Sequence, residues 1–426
     1  MKRILCIAFA LLIAATFGCR SGESFEGAQA SLEPTPIKEI EKMIDPAPPI
    51  VQSEIGKNEP IAVEDYQGFA ALTAIQALGG RTDNANYSPI SLYLALSLAA
   101  EGASGETLAE LLSALGAEDL ESLRASNADM WAKLKSDNEL GVLELNNSLW
   151  CNDTLPVYDS YKELAASYYN AEVESLPLGE PASWARIGSW IAEKTRGTIE
   201  PEVELSAEDL LVLINTIYLK AQWASIFDSN ANTVEDFTLA DGTKVSADFM
   251  NQTLQDGQIF FGEDYARCHL HLQGVGEMRF ILPGENSSLN ALLADGEALE
   301  NALYGGSAED RTVVFSLPKF TFTDKYELIP MLQSLGVYSA FDGEAADFSN
   351  MSELSSFITR ILQETYINVN ELGVEAAAYT MITMRNTAAF EEPPTYVFAL
   401  DRPFLFAITA NDGTLLFVGA VQNPNQ

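Results

Sequence analysis

Histidine is nearly missing from this chain: 426 residues hold two, His269 and His271. They stand at i and i+2 in the alternating run Cys268-His269-Leu270-His271-Leu272, so both project from one face of a strand. No third ligand clusters beside them, so the pair reads as structural or solvent-facing and no metal site is expected. Neither lies near a Gly-x-Ser-x-Gly turn or a cysteine placed as a nucleophile, which argues against histidine-based hydrolysis. A glycine-rich phosphate loop is missing too; Gly274-Val275-Gly276 follows a strand-like run but opens no helix, and reads as a turn. Basic residues are scarce, 24 against 61 acidic ones, for a net charge of −37. Without a basic cluster to displace counterions, nucleic acid and anionic lipid surfaces are poor partners. At this acidity, pairs of carboxylates say nothing about catalysis. No cofactor is expected, and the chain reads as a binding or inhibitory protein rather than an enzyme.

Cysteines number four. Cys6 lies in the apolar leader, and Cys151 and Cys268 are far apart in the domain. The last two could pair in an oxidising compartment or remain as two buried thiols; the sequence leaves both open. An apolar run stands at the start. Residues 1–18 carry Lys2 and Arg3, then Ile4 to Phe17, then Gly18 before Cys19, the pattern of a secretory signal. A cysteine directly after the cleavage point resembles the lipid-attachment site of bacterial lipoproteins, although Thr16 and Phe17 depart from it; the alternative is plain secretion. That resemblance implies lipidation at Cys19, contact with a membrane only through this anchor, and, from Arg20, an outer-membrane or cell-surface location in a Gram-negative envelope. Residues 19–62 are rich in Ser, Glu, Pro and Gly and read as a tether, leaving one domain over 63–426.

Along that domain, Phe69, Leu72, Ile75 and Leu78 are spaced for one helix face. Ser88-Pro89 suits a helix start, with Ile90 to Ala99 as a buried helix. Helical patterning returns over 182–195 and stops at Gly197. The run 211–219 is strand-like, and Asn215 within it must find hydrogen bonds. Strands follow at 278–282 (ended by Pro283), 313–317, 320–323, 404–409 and 414–421. Asp241-Gly242 and Asn411-Asp412-Gly413 mark hairpin turns. Helices crowd the first half and strands the second, so the fold class is α+β with a large sheet.

One segment resists this reading. Residues 370–380, Asn-Glu-Leu-Gly-Val-Glu-Ala-Ala-Ala-Tyr-Thr, favour helix by propensity. By alternation, continued to Arg385, they form a strand. Val374, Ala376, Ala378, Thr380, Ile382 and Met384 then share one face; Glu375, Ala377, Tyr379, Met381, Thr383 and Arg385 share the other.

The order of motifs resembles the serpin family from about residue 63 to the C-terminus. Asn215-Thr216-Ile217-Tyr218-Leu219-Lys220-Ala221-Gln222-Trp223 is similar to its signature strand, followed by Phe227, Thr233, Phe237, Asp241-Gly242 and Phe249-Met250. Asn86-Tyr87-Ser88-Pro89-Ile90-Ser91, Leu317-Pro318-Lys319-Phe320, Ala346-Asp347-Phe348 and Asp401-Arg402-Pro403-Phe404 extend the likeness. The resemblance implies helices on a large mixed sheet, further smaller antiparallel sheets, and an exposed reactive loop over about 371–395. It implies a hinge of the inhibitory type at Glu371, Gly373, Val374, Glu375, Ala376, Ala377, Ala378 and Thr380. Loop insertion in serpins is an established example of strand addition and stored strain. Small residues let such a strand enter a packed sheet, and no Pro or charge stands on the inward face from Gly373 to Met384. Ser88, Ser91, Asn215 and Gln363 match a network that governs sheet opening, with Gln363 where the family has a histidine. Gln keeps a donor and an acceptor but removes any pH switch there. Glu371 and Lys319 match an ion pair beside Trp223. Family spacing puts the scissile bond at Thr387–Ala388, suiting an elastase-like protease; Arg385–Asn386 would suit a trypsin-like one. The expected function is suicide inhibition of a serine or cysteine protease by a monomer, with a non-inhibitory binding protein as the alternative.

Overall fold

The computed structural model describes residues 65–134, 136–137, 141–375 and 393–426. The leader, Cys19, the tether, the hinge residues Ala376, Ala377, Ala378 and Thr380, and both candidate bonds (Thr387–Ala388 and Arg385–Asn386) lie outside the described residues.

Two sheets share the core. Among the described residues the central one has seven strands; across it run Phe320–Glu327, Ile358–Asn370, the two-residue strand Gly373–Val374, Leu211–Gln222, Gly141–Asn152 and Ser136–Asp137, with Ala171–Leu176 also paired to Gly141–Asn152. It is mixed: Ile358–Asn370 meets Leu211–Gln222 in parallel, while Gly141–Asn152 meets Leu211–Gln222 antiparallel. The other sheet joins nine strands among the described residues, and these pair antiparallel except where Ser307–Pro318 meets Thr395–Ala399. Its hairpins turn at Gly242 and Gly413, both left-handed, φ +84° and +90°, as their Asp-Gly dipeptides demand.

The helix Pro89–Gly102 starts at Ser88-Pro89 and is buried at every residue, touching both sheets. Apolar side chains, Leu92, Leu94, Leu96 and Leu98 among them, lie all round it, and of its few polar ones Ser97 bonds back to Tyr93 O and Glu101 meets Arg124 and Tyr169. Over the opposite side of the central sheet, Pro181–Lys194 lays Ile187, Trp190 and Ile191 onto Trp150, Val212 and Ile214. In the first helix, Tyr66–Leu78, the buried stripe is Phe69, Ala70, Thr73, Ala74, Ala77 and Leu78; Leu72 and Ile75 sit half-buried at its margin, because small residues let that side approach more closely than the large ones.

Among the described residues no helix is long and apolar enough to cross a membrane. Cys151 and Cys268 are both unpaired and buried, in different clusters of the core, and burial pushes each thiol up to about 12. They are two inert thiols, not a disulfide.

Candidate functional site

The central sheet parts at one end. Ile358–Asn370 and Leu211–Gln222 pair directly from Ile358 and Leu211 up to Gln363 and Asn215, and no further. Beyond that point the chain reverses at Glu371-Leu372, and Gly373–Val374 returns between the two strands, antiparallel to both. Val374 stands opposite Val369 on one side and Ala221 on the other. The first hinge residues, expected in an exposed loop, are therefore already a short buried strand.

Local chemistry explains the reversal. The Trp223 amide donates to the Leu372 carbonyl at 3.0 Å, and the Phe227 amide to Glu371 O at 3.0 Å. The Trp223 indole N–H donates to Asn370 O at 2.9 Å, and the Leu372 amide to Asn370 Oδ1 at 2.9 Å. Gly373 has φ +152°, and a Cβ there would lie 2.0 Å from the Ala221 carbonyl oxygen, so only glycine lets the backbone enter. Val374 is 3% exposed and joins a core cluster with Trp223, Phe227, Ile367 and Val369. Burying it stabilises the seated hinge by about 1.5–3 kcal/mol.

Charge frames the mouth. Lys319 Nζ lies 3.4 Å from Glu371 Oε1 and 3.5 Å from Asp248, and Asn232 donates to the same Glu371 oxygen. Burial works against ionised Glu371, but its own amide, Asn232 and the Lys319 ammonium together hold its carboxyl below the usual range. At Glu375 the strand has ended. Its amide donates to Asn368 O at 2.9 Å, its φ is +51°, and its half-buried carboxyl meets the Tyr218 hydroxyl. Burial pushes that carboxyl up to about 7, against the pull of Tyr218, Lys220 and Arg196. The alternation expects Glu375 on the outward face, and there it stands, half-buried beside Tyr218 and Lys220, which alternate with the core-facing Ile217, Leu219 and Ala221.

Below the mouth lies a buried brace. Gln363, 1% exposed, accepts from the Ser88 amide at 3.0 Å and donates to the Ser88 carbonyl at 2.8 Å. Ser88 Oγ donates to Leu416 O, and Thr365 Oγ1 to Asn86 O. The expected four-member network does not form as such. Asn215 turns to Asn147, its register partner on the next strand, and Ser91 Oγ makes no bond to Gln363. Asn147, which also donates to Tyr169 O, was not signalled by the sequence, since its partner lies 68 residues away.

His269 and His271 do share a face, both turned to Glu277 on the adjacent strand, at 3.3 and 3.8 Å. Arg267 Nε donates to His269 Nε2 at 2.7 Å, which fixes the proton on Nδ1 and aims it at Glu277 rather than at a metal. No group of three or more metal-ligating side chains occurs among the described residues.

The site is thus a mixed sheet whose two middle strands part at one end around two residues of the same chain. The chain matches the Serpin (serine protease inhibitor) family over residues 67–424 and belongs to that family. It is 32% identical to an uncharacterized serpin-like protein of Thermococcus kodakarensis, covering 82% of each chain. Against Serpin-Z2B of Triticum aestivum it is 31% identical, over 85% of this chain and 96% of the relative. Its structure is similar to that of the thermophilic serpin tengpin in the native state, with a TM-score of 0.76, 28% identity, and coverage of 84% of this chain and 93% of that one. An Arabidopsis serpin in its native stressed conformation gives a TM-score of 0.73 at 27% identity, covering 86% of this chain and 100% of that one. Members of this family are generally protease inhibitors rather than catalysts.

Proposed function

We propose that this protein is a suicide inhibitor of a serine protease, with cysteine proteases as further targets. The protease nucleophile attacks the carbonyl carbon of Thr387, the Thr387–Ala388 bond breaks, Ala388 departs as the protonated amine, and Thr387 remains as an acyl-enzyme. The hinge then inserts along the path opened by Gly373–Val374 and carries the protease with it before water completes hydrolysis. The observation that carries this reading is the seated hinge: Gly373 and Val374 lie between the middle strands, and the residues that would follow are Ala376, Ala377 and Ala378. Small side chains enter a sheet at little steric cost, and a trailing Tyr379 falls on the outward face of the alternation.

An elastase-like enzyme suits Thr387, and a trypsin-like one would use Arg385–Asn386. Mixing the full chain with a panel of both, followed by denaturing electrophoresis, tests the proposal. A covalent complex is the expected result. Cleavage of the loop with no complex across the panel would instead support a non-inhibitory binding protein. Mass analysis of the released peptide assigns the bond. We infer also that the chain is held at the cell envelope through a lipid on Cys19, as a monomer. Cys19→Ser should then move it from the membrane to the soluble fraction, and a wild type already soluble would refute the anchor.

A further inference from the structure

Where the two middle strands stop pairing, a cavity of about 690 Å³ opens on the face of the central sheet that lies under the Pro181–Lys194 helix. The last direct pair is Gln363 with Asn215, and the next residues out, Thr216 and Glu364, stand on the two sides of the parting seam. Alternation gives the cavity Ile214 and Thr216 from one strand and Leu362 and Glu364 from the other, whereas Gln363 turns to the far side, toward Ser88. The helix supplies a wall through Trp184 and Ile191. Residues 201–207 form the roof, with Val203 and Leu205 turned in and Glu202 and Glu204 exposed outside. This roof is anchored at one end. The Ser206 amide donates to Asp209 Oδ2 at 2.8 Å and Asn152 Nδ2 to Ala207 O at 3.2 Å. Gly179 packs so closely against Ala207 that a Cβ would lie 2.7 Å from its nitrogen.

The lining is suited to a guest rather than to further packing. Thr216 is 2% exposed, yet its hydroxyl has no hydrogen-bond partner. A buried hydroxyl left so costs about 1–3 kcal/mol, which a ligand oxygen would recover. Trp184 donates its indole N–H to Leu178 O at 2.7 Å and so offers the cavity only its ring. The charges nearby are already matched: Lys325 stands opposite Glu364 in register, and Arg360 Nε lies 3.5 Å from Asp209. An anion would approach past Glu202 and Glu204, and a cation would find Glu364 with a lysine beside it. Both observations favour an uncharged guest.

We propose that this cavity binds a small neutral molecule with a flat apolar body and one oxygen, a phenol being the simplest case. Its body lies between Trp184, Ile191, Ile214 and Leu362, and its oxygen accepts from Thr216 Oγ1. An apolar cavity of this volume with one placed polar group has the build of a small-molecule site. Such a ligand touches both middle strands where they part. In the inhibitory reading, on which this consequence alone rests, it would hinder the sheet from opening.

Calorimetric titration of the full chain with naphthol tests the site, with naphthoate as its anionic analogue. Naphthol is expected to saturate at one molecule per chain, and naphthoate to bind at least about tenfold more weakly. Thr216→Val keeps the shape and removes the hydroxyl, and should weaken naphthol roughly threefold to tenfold. Val203→Trp fills the cavity from its half-buried roof and should abolish binding. Absence of saturable binding by wild type would overturn the proposal. So would a naphthol affinity unchanged in either variant, or naphthoate binding as tightly as naphthol. No protease enters the titration, so its failure would leave the inhibitory reading standing.

Discussion

The two middle strands of the central sheet are built differently at their two ends. At the lower end, Ile358 to Gln363 and Leu211 to Asn215 touch directly, and Gln363 ties them through Ser88 to the buried helix behind. At the upper end the same strands are held apart by Gly373–Val374, joined by main-chain bonds and framed by half-exposed charges at Lys319, Glu371 and Glu375. Breaking the lower contacts strands buried polar groups. Breaking the upper ones returns charged groups to water and exposes one valine. In the proposed inhibitory cycle this difference would set an order of opening, from the mouth downward, with Gln363 as the first brace an advancing strand would meet.

The largest effect should come from the strand already in place. Val374→Arg puts an unpaired charge into a site that is 3% exposed, costing the seated hinge about 3–5 kcal/mol. In the inhibitory reading this variant becomes a plain substrate, and its complex yield on a denaturing gel should fall at least tenfold. Undiminished inhibition would show that the two halves do not differ in this way.

Next is the brace. Gln363→Ala removes both bonds to Ser88 and leaves a buried amide and carbonyl without their partner, a loss of about 2–4 kcal/mol in chemical denaturation. A change under 1 kcal/mol would make the lower half no firmer than the upper.

Smallest is the rim. Lys319→Ala should cost no more than about 1 kcal/mol, because the pair with Glu371 is partly solvated and screened. Glu371 is held below the ordinary carboxylate range, so the contribution of its partners is present above that range. It should fade as pH falls through the lowered folded value, and comparing wild type with Lys319→Ala at pH 7 and pH 3 measures this.

Much of this architecture was written locally. Ser88-Pro89, the Asp-Gly hairpins and the apolar run from Leu211 each carry their signal within a few residues, and each forms the element it suggests. The Glu371–Lys319 pair and Trp223 stood out by motif, and the fold brings them together. What stayed hidden depends on distant register. The strand Gly141–Asn152 was not marked, because its buried polar residues Asn146, Asn147 and Ser148 interrupt the apolar pattern; Asn147 meets Asn215 only once the strands align. Alternation places Glu375 on the outward face, where it does stand beside Tyr218 and Lys220; what no side-chain pattern announces is the left-handed turn that ends the strand at it.

Whether the central sheet accepts the loop is most directly tested by thermal unfolding before and after a single cut in residues 385–388, with the nicked chain kept intact. The account predicts that the cut protein unfolds at a far higher temperature, with the amides of Ala376 to Thr380 better protected from exchange than before the cut. An unchanged unfolding temperature, with no gain in the protection of those amides, would contradict it.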